Sequence, residues 1–130
     1  MRSLTARAFF GLALLVLPLS MTIAAEAFVC AFDRYSDGEA IRSGSMSLTF
    51  VVDGAKAHLV GNLGTAEVTP FRNEDGGITF VEVAPSNNVQ VTAIALDGTA
   101  VHSRHTMTVP TPEDSGLFAS QYYGKCGVRR

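Results

Sequence analysis

Short apolar segments separated by Gly, Asp and Asn run through the chain from residue 28 onward. Long stretches with the 3.6-residue period of an amphipathic helix are missing, which is typical of an antiparallel all-β domain. The segments predict strands at Phe28–Asp33, Ser45–Val52, Ala55–Val60, Thr65–Phe71, Ile78–Val83, Val89–Leu96 and Ala100–Val109, after which Leu117 to Tyr123 leads back to Cys126. We therefore expect an all-β fold, a meander of seven to eight strands forming a small up-and-down barrel or a sandwich.

The Asp53-Gly54 pair predicts a tight hairpin. A two-residue turn at this pair places Val52 opposite Ala55 and Phe50 opposite Ala57. One face of the hairpin then carries only apolar side chains, namely Met46, Leu48, Phe50, Val52, Ala55, Ala57 and Leu59. The other face is polar, so the first is predicted to be buried and the second to be wet.

The Asp97-Gly98 pair predicts a second hairpin. A three-residue loop, Asp97-Gly98-Thr99 with Gly98 left-handed, groups most of the apolar side chains on one face. That face holds Val89, Val91, Ala93, Ala95, Val101, Ser103, His105 and Met107. The opposite face holds Gln90, Thr92, Ile94, His102, Arg104 and Thr106. The apolar face is expected to point into the core.

The segment Thr111-Pro112-Glu113-Asp114 is typical of a helix start. Thr111 suits the N-cap, Pro112 the first helical position, and the acidic residues the first turn. Gly116 follows closely, so a helix of one or two turns is expected here.

Residues 1–27 read as a secretory signal peptide. Arg2 and Arg7 precede an apolar run over residues 8–17, and residues 25–27 (Ala-Glu-Ala) match the small-x-small cleavage pattern. We expect a signal helix, cleavage before Phe28, and one mature β-domain over residues 28–130. The alternative is an uncleaved membrane anchor, although the apolar run has only about half of the roughly 20 residues that a spanning helix needs.

Cys30 and Cys126 are the only cysteines of the chain. Export to the periplasm or the extracellular space favours a disulfide, and with two cysteines only one pairing exists. The bond would join the two ends of the mature domain. A metal site or a reactive thiol is the weaker alternative, because neither cysteine has a histidine near it in the sequence.

The charge of the mature domain is mildly acidic. The chain has 10 Lys and Arg and 12 Asp and Glu, of which Arg2, Arg7 and Glu26 fall in the signal, so 8 basic and 11 acidic residues remain. No cluster of Lys and Arg is present. Nucleic acid is therefore an unlikely partner class, and no second apolar segment is long enough to span a membrane after signal cleavage.

Residues 101–106 form the densest polar cluster. His102 and His105 fall on opposite faces of a strand and cannot readily share a metal ion. Ser103 and His105 share a face but lie roughly 7 Å apart along it, too far for a nucleophile–base hydrogen bond. The favoured interpretation buries His105 and Ser103 and exposes His102 and Arg104 as a pair. No metal, cofactor or catalytic set is predicted.

Four residues are candidates for a binding surface: His102, Arg104, Tyr122 and Tyr123. Tyrosine and arginine are enriched at interface hot spots. The alternative for the two tyrosines is structural, with one packed over the disulfide and the other capping the core through its hydroxyl group.

Glu82 lies among apolar residues and shares a face with Ile78 and Phe80. If that face is the core, Glu82 is a buried acid that needs a partner. Arg104 and His105 are the expected candidates for this partner.

The motifs of residues 77–83, 88–90, 100–106 (Ala-Val-His-Ser-Arg-His-Thr) and 120–126 (Ser-Gln-Tyr-Tyr-Gly-Lys-Cys) resemble a group of small exported bacterial proteins of unknown function. The resemblance covers about the last half of the mature chain and implies no activity. In architecture and compartment alone, the chain is also similar to periplasmic C-type lysozyme inhibitors, which are small disulfide-bearing β-barrels.

The leading functional hypothesis is an exported non-enzymatic β-domain that binds a protein or a cell-envelope component, with an inhibitor-like role as one form of this binding. The second is a lipocalin-like carrier of a small apolar ligand, since an eight-stranded barrel can hold one such molecule. Inward-facing Ala57, Ala93, Ala95 and Ser103 would leave the space. The third is a hydrolase that uses Ser103 or a histidine.

Overall fold

The structure of the chain is a computed structural model that describes residues 24–130. It contains the eight strands β1 (Glu26–Ser36), β2 (Ile41–Asp53), β3 (Lys56–Gly61), β4 (Gly64–Arg72), β5 (Ile78–Val83), β6 (Val89–Ile94), β7 (Thr99–Met107) and β8 (Leu117–Arg129). Each strand pairs antiparallel with the next in sequence, and β8 pairs with β1 to close a barrel. The all-β meander is confirmed, and of the two architectures left open the barrel is the right one.

The predicted signal helix lies outside the described residues. Only the end of the predicted signal peptide is described, and its last two residues already belong to β1. Glu26 pairs with Val52, and Ala27 pairs with Val51 on β2 and Arg129 on β8. The position of cleavage stays a prediction.

The β2–β3 hairpin has the predicted apolar face with a shifted register. Its turn residues are Gly54 and Ala55, so Val52 pairs with Ala57 and Phe50 with Leu59. Gly54 has a φ of 62°, whereas Ala55 has none of the positive-φ geometry that a type I′ turn requires. A positive φ at the first central position alone is the type II′ pattern, which favours Gly there. The shift is two residues, so every side chain keeps its face and the predicted face is buried.

The β6–β7 hairpin corrects the sequence analysis. The loop has three residues and a left-handed Gly98 (φ 84°), but it comprises Leu96, Asp97 and Gly98, with the Ala95 N–H donating to the Thr99 carbonyl oxygen. The two predicted groups of side chains are confirmed, yet their directions are reversed. The buried residues belong to the polar group, with Thr92 2% and His102 1% exposed. His105 is exposed, as are Ala93 and Ala95.

The predicted helix at Thr111–Asp114 is also wrong. Thr111 and Asp114 exchange two backbone hydrogen bonds in a bend of the β7–β8 loop, and no helix occurs in residues 24–130. Gly116 (φ 69°) returns the chain so that the Thr108 N–H donates to its carbonyl oxygen. The closed loop contains too few residues for the hydrogen bonds of a helix to offset its unfavourable nucleation.

The barrel closes where the first and last strands meet. Cys30 lies directly opposite Cys126 in the β1–β8 pair, and the two are joined by the predicted disulfide across a sequence separation of 96. Gly124 permits the close approach of these strands, because a Cβ atom there would collide with the carbonyl oxygen of Ala31. The buried disulfide indicates an oxidising, extracytoplasmic environment.

Apolar side chains fill one end of the interior. The Phe80 ring stacks on Phe50 with centroids 4.3 Å apart and meets Phe28 edge-on at 5.7 Å. Ile78, Ile94 and the disulfide complete this apolar end. No helix in residues 24–130 is long and apolar enough to cross a membrane.

Candidate functional site

The opposite end of the interior carries a row of polar side chains on three neighbouring strands. Glu82 on β5 pairs with Gln90 on β6, and Gln90 pairs with Arg104 on β7. All three line a cavity at the end of the barrel that holds the β3–β4 and β5–β6 turns. We call Glu82, Gln90 and Arg104 the polar row and this cavity the cup.

The other wall of the cup is largely apolar. Met46 and Leu48 of β2 and Leu59 of β3 line it, and Leu63 of the β3–β4 turn stands fully exposed at the rim. The cup has a volume of about 480 Å³ and opens to solvent. This volume lies within the range of small-molecule sites, so the cup can hold a ligand that is apolar on one side and polar on the other.

Hydrogen bonds hold Arg104 in place at its Nε atom. The Nε–H group donates to Gln90 Oε1 at 3.1 Å and to His102 Nε2 at 3.2 Å. Within residues 24–130 the terminal guanidinium nitrogens make no hydrogen bond, and no carboxylate forms an ion pair with them. The Arg104 side chain is therefore fixed at Nε, while its two terminal NH2 groups remain available for charge-assisted hydrogen bonds with a ligand.

His102 supports Arg104 from below, in the buried layer next to the cup. Its Nδ1 atom lies 2.7 Å from Thr92 Oγ1. Because Nε2 accepts from Arg104, the proton of the neutral ring is placed on Nδ1, which donates to the Thr92 hydroxyl oxygen. Burial, and secondly the positive charge of Arg104, lower the pKa of His102 from 6.5 to about 4. His102 thus acts as a neutral acceptor that orients Arg104.

Acidification is expected to destabilise the fold through His102. Above pH 6.5 His102 is neutral in both the folded and the unfolded chain. Between pH 6.5 and about 4 only the unfolded chain protonates His102, so the free energy of unfolding decreases as the pH falls. Below about pH 4 both states are protonated and the decrease is complete. The shift corresponds to a loss on the order of 3 kcal/mol. Urea unfolding between pH 7 and pH 4 should show that the free energy of unfolding of the wild type decreases as the pH is lowered. The decrease should be smaller in His102→Gln.

The matched control for this pH dependence is His105→Gln. His105 lies three residues further along β7, on the outer face and exposed. The control should keep the wild-type pH profile. A His102→Gln variant with the same slope as the wild type would assign the titration to another group.

Aromatic side chains pack beside Arg104. The guanidinium carbon lies 5.4 Å from the centre of the Tyr122 ring, a cation–π distance. Tyr122 also stacks on Tyr35 with centroids 5.8 Å apart. A shift of register at Asp33 places Tyr35 opposite Tyr122 and Arg34 opposite Tyr123. This bulge turns Tyr35 toward the interior, as bulges commonly re-aim a side chain near a functional site.

The structure gathers three of the four predicted binding residues and separates the fourth. His102, Arg104 and Tyr122 are neighbours inside the barrel, where His102 and Arg104 are hydrogen-bonded to each other; the expected pair forms, but it is not exposed, because His102 is 1% exposed. Tyr123 faces outward, where its hydroxyl donates to Gln121 Oε1 and its ring lies under Arg34. His102 therefore serves as a positioning residue and has no surface to offer a partner.

The two predicted buried polar residues are also placed differently. Glu82 is on the inner face and half-buried, but among the described residues it forms no ion pair with Arg104 or any other cation. Gln90 stands between the two charged side chains in the row. His105 is exposed and not buried, since the outer face of β7 carries it.

The sequence analysis missed Gln90, Thr92, Tyr35 and Met46 as members of the site. Gln90 and Thr92 were assigned to the wet face because they alternate with valine and alanine. The sequence signal for Gln90 and Thr92 is that they alternate along β6 and fall opposite Arg104 and His102 of β7, so the four side chains share one face. The shift at Asp33 leaves no local sequence mark, so the inward Tyr35 had no signal.

Within residues 24–130, His102 faces the interior of the barrel, whereas Ser103 and His105 lie on the outer face. No group of three or more His, Cys, Asp or Glu residues there could hold a metal ion. Ser103 pairs with Val91 and Gln121 on the outer face, and it forms no hydrogen bond with His105 within that range.

Fold and site together define a small disulfide-closed antiparallel β-barrel with a half-polar cup at one end. Scans against protein-family models, curated proteins and solved structures found no match to the chain.

Proposed function

We propose that this protein is an exported, non-enzymatic binding domain that holds a polar group of an extracytoplasmic protein or cell-envelope component in the cup. The observation that carries the proposal is Arg104. It is oriented by Gln90, His102 and Tyr122, it lines the open cup, and its terminal nitrogens have no hydrogen-bond or ion-pair partner among residues 24–130. Pre-organised donors of this kind bind without the cost of ordering a long side chain.

The compartment supports the same proposal. The disulfide suits an oxidising space, and residues 1–27 match the pattern of a secretory signal, and both support a location in the periplasm or outside the cell. An inhibitor-like role, in which the barrel end covers a site on a partner protein, is one form of this function. It is compatible with the similarity to small lysozyme-inhibiting barrels in architecture and compartment.

The carrier of an apolar ligand has less support. Its premise was a set of small inward residues, but Ala93 and Ala95 face outward and are exposed. Phe28, Phe50 and Phe80 fill the apolar end of the interior. The remaining space lies in the cup, where an apolar ligand would cover charged groups that it cannot satisfy.

Native mass spectrometry of the protein purified from its own extracytoplasmic fraction tests the proposal. The wild type should carry extra mass that is lost on denaturation, whether a small molecule or a second chain. Arg104→Gln should reduce the occupied fraction about tenfold or more, because charge-assisted hydrogen bonds are lost. The denatured mass reports the cleavage position at the same time.

His105→Gln is the matched control, because it changes the outer face of the same strand. It should leave the occupied fraction unchanged. A bound mass that Arg104→Gln does not affect would contradict binding in the cup.

A further inference from the structure

The polar row presents both charges at once. Glu82 and Arg104 line the same cup without forming an ion pair, although they carry opposite charges. Gln90 separates them by one full strand. Two strand spacings place their backbones about 10 Å apart. The cup therefore has a negative end and a positive end with an amide between them.

This arrangement discriminates between classes of ligand. A simple anion would pair with Arg104 and leave Glu82 unsatisfied, and a simple cation would pair with Glu82 and leave Arg104 unsatisfied. A purely apolar ligand would desolvate both groups without compensation. A ligand that carries both charges satisfies both ends of the row. The apolar wall of Met46, Leu48 and Leu59 then requires an apolar body between the charges.

Length narrows the class further. An extended chain covers at most about 3.3–3.6 Å per residue, so the roughly 10 Å between the two backbones sets an upper limit of about three residues for a ligand held between the two side chains. Its carboxylate would accept hydrogen bonds from the terminal nitrogens of Arg104. Its ammonium group would donate to the carboxylate of Glu82, and Gln90 would meet the peptide backbone.

We propose that the cup binds a short peptide segment with a carboxylate at Arg104, an ammonium group at Glu82 and an apolar side chain against Met46 and Leu59. The proposal rests on the binding function proposed for the same cup and names the ligand class. Two sources share this chemistry: a free peptide with charged ends, and a chain segment of a larger partner that bears an acidic and a basic side chain.

The test is a matrix of blocked probes and charge-neutral variants measured by calorimetric titration. The first probe is the tripeptide Ala-Leu-Ala with free ends, compared with its N-acetylated and C-amidated forms. C-amidation should weaken binding to the wild type about tenfold or more and should leave binding to Arg104→Gln unchanged. N-acetylation should weaken binding to the wild type by a similar factor and should leave binding to Glu82→Gln unchanged.

A second probe separates the two sources. Acetyl-Glu-Leu-Lys-amide has no charged ends and carries its charges on side chains. Binding of this probe with the same variant dependence assigns the site to a segment of a larger chain. Binding restricted to free ends assigns it to short peptides. Glu82→Gln keeps the test valid if Arg104→Gln is unstable, because Glu82 has no ion-pair partner in residues 24–130 whose loss would affect folding.

Three results would overturn the proposal. Equal binding of free and blocked probes would remove the charge pair as the recognition element. No binding of either probe, with an Arg104-dependent mass still present in the native spectrum, would refute the peptide ligand and leave the binding function standing. No probe binding and no such mass would refute both.

Discussion

Replacing both cysteines with alanine is expected to lower the free energy of unfolding by about 4–5 kcal/mol. The Cys30–Cys126 bond closes a loop with a sequence separation of 96, and in the chain-entropy model a loop of this size gives about that much. The bond also joins β1 to β8, the pair that closes the barrel. Without the bond, the unfolded chain is no longer held together near its two ends, although β1 and β8 must still pair to close the barrel.

Urea unfolding of the wild type and of Cys30→Ala/Cys126→Ala measures this effect. The double variant should unfold at a much lower urea concentration, and wild type kept reduced should match it. Adding reductant to the double variant should change nothing, which is the internal control. Equal unfolding midpoints for variant and oxidised wild type would mean that the disulfide contributes little to stability.

Phe80→Ala is expected to destabilise the barrel by about 3–5 kcal/mol. Phe80 is 1% exposed, stacks on Phe50 at 4.3 Å and meets Phe28 at 5.7 Å, so its loss opens a cavity between two fixed rings. Truncating a buried phenylalanine costs both the transfer free energy and the cavity. Thermal and urea unfolding provide the measurement.

Phe71→Ala is the matched control, because Phe71 is 53% exposed on β4 and leaves no buried cavity when truncated. Its effect should stay well below that of Phe80→Ala. Similar losses in the two variants would place the stabilising core elsewhere than around Phe28, Phe50 and Phe80.

Alternation along single strands predicted more of the fold than of the site. Strand β5 was placed at Ile78–Val83, as observed, and the apolar face of the β2–β3 hairpin was assigned to the core, where it lies. These assignments succeeded because the side-chain period of a strand is two, so a hairpin that slips by two residues keeps its faces.

The direction of the β6–β7 hairpin failed for a physical reason. Apolar residues such as Val89 and Met107 are exposed on the outer wall, and much of any folded surface is apolar. The inner wall at this end can carry polar residues because several of them hydrogen-bond to one another, as Thr92 does with His102 and Gln90 with Arg104. Hydrophobicity alone therefore assigns the wrong face of the β6–β7 hairpin to the interior of the barrel.

Local pattern and cysteine count were enough to establish the meander of strands, the grouping of side chains by face and the pairing of Cys30 with Cys126, because these follow from strand periodicity and from having a single possible pair. Barrel closure, the inward direction of Arg104 and the row that brings Glu82, Gln90 and Arg104 together arise from pairings between separate strands. Such pairings depend on the packing and hydrogen bonding of the whole barrel, and no single strand contains that information.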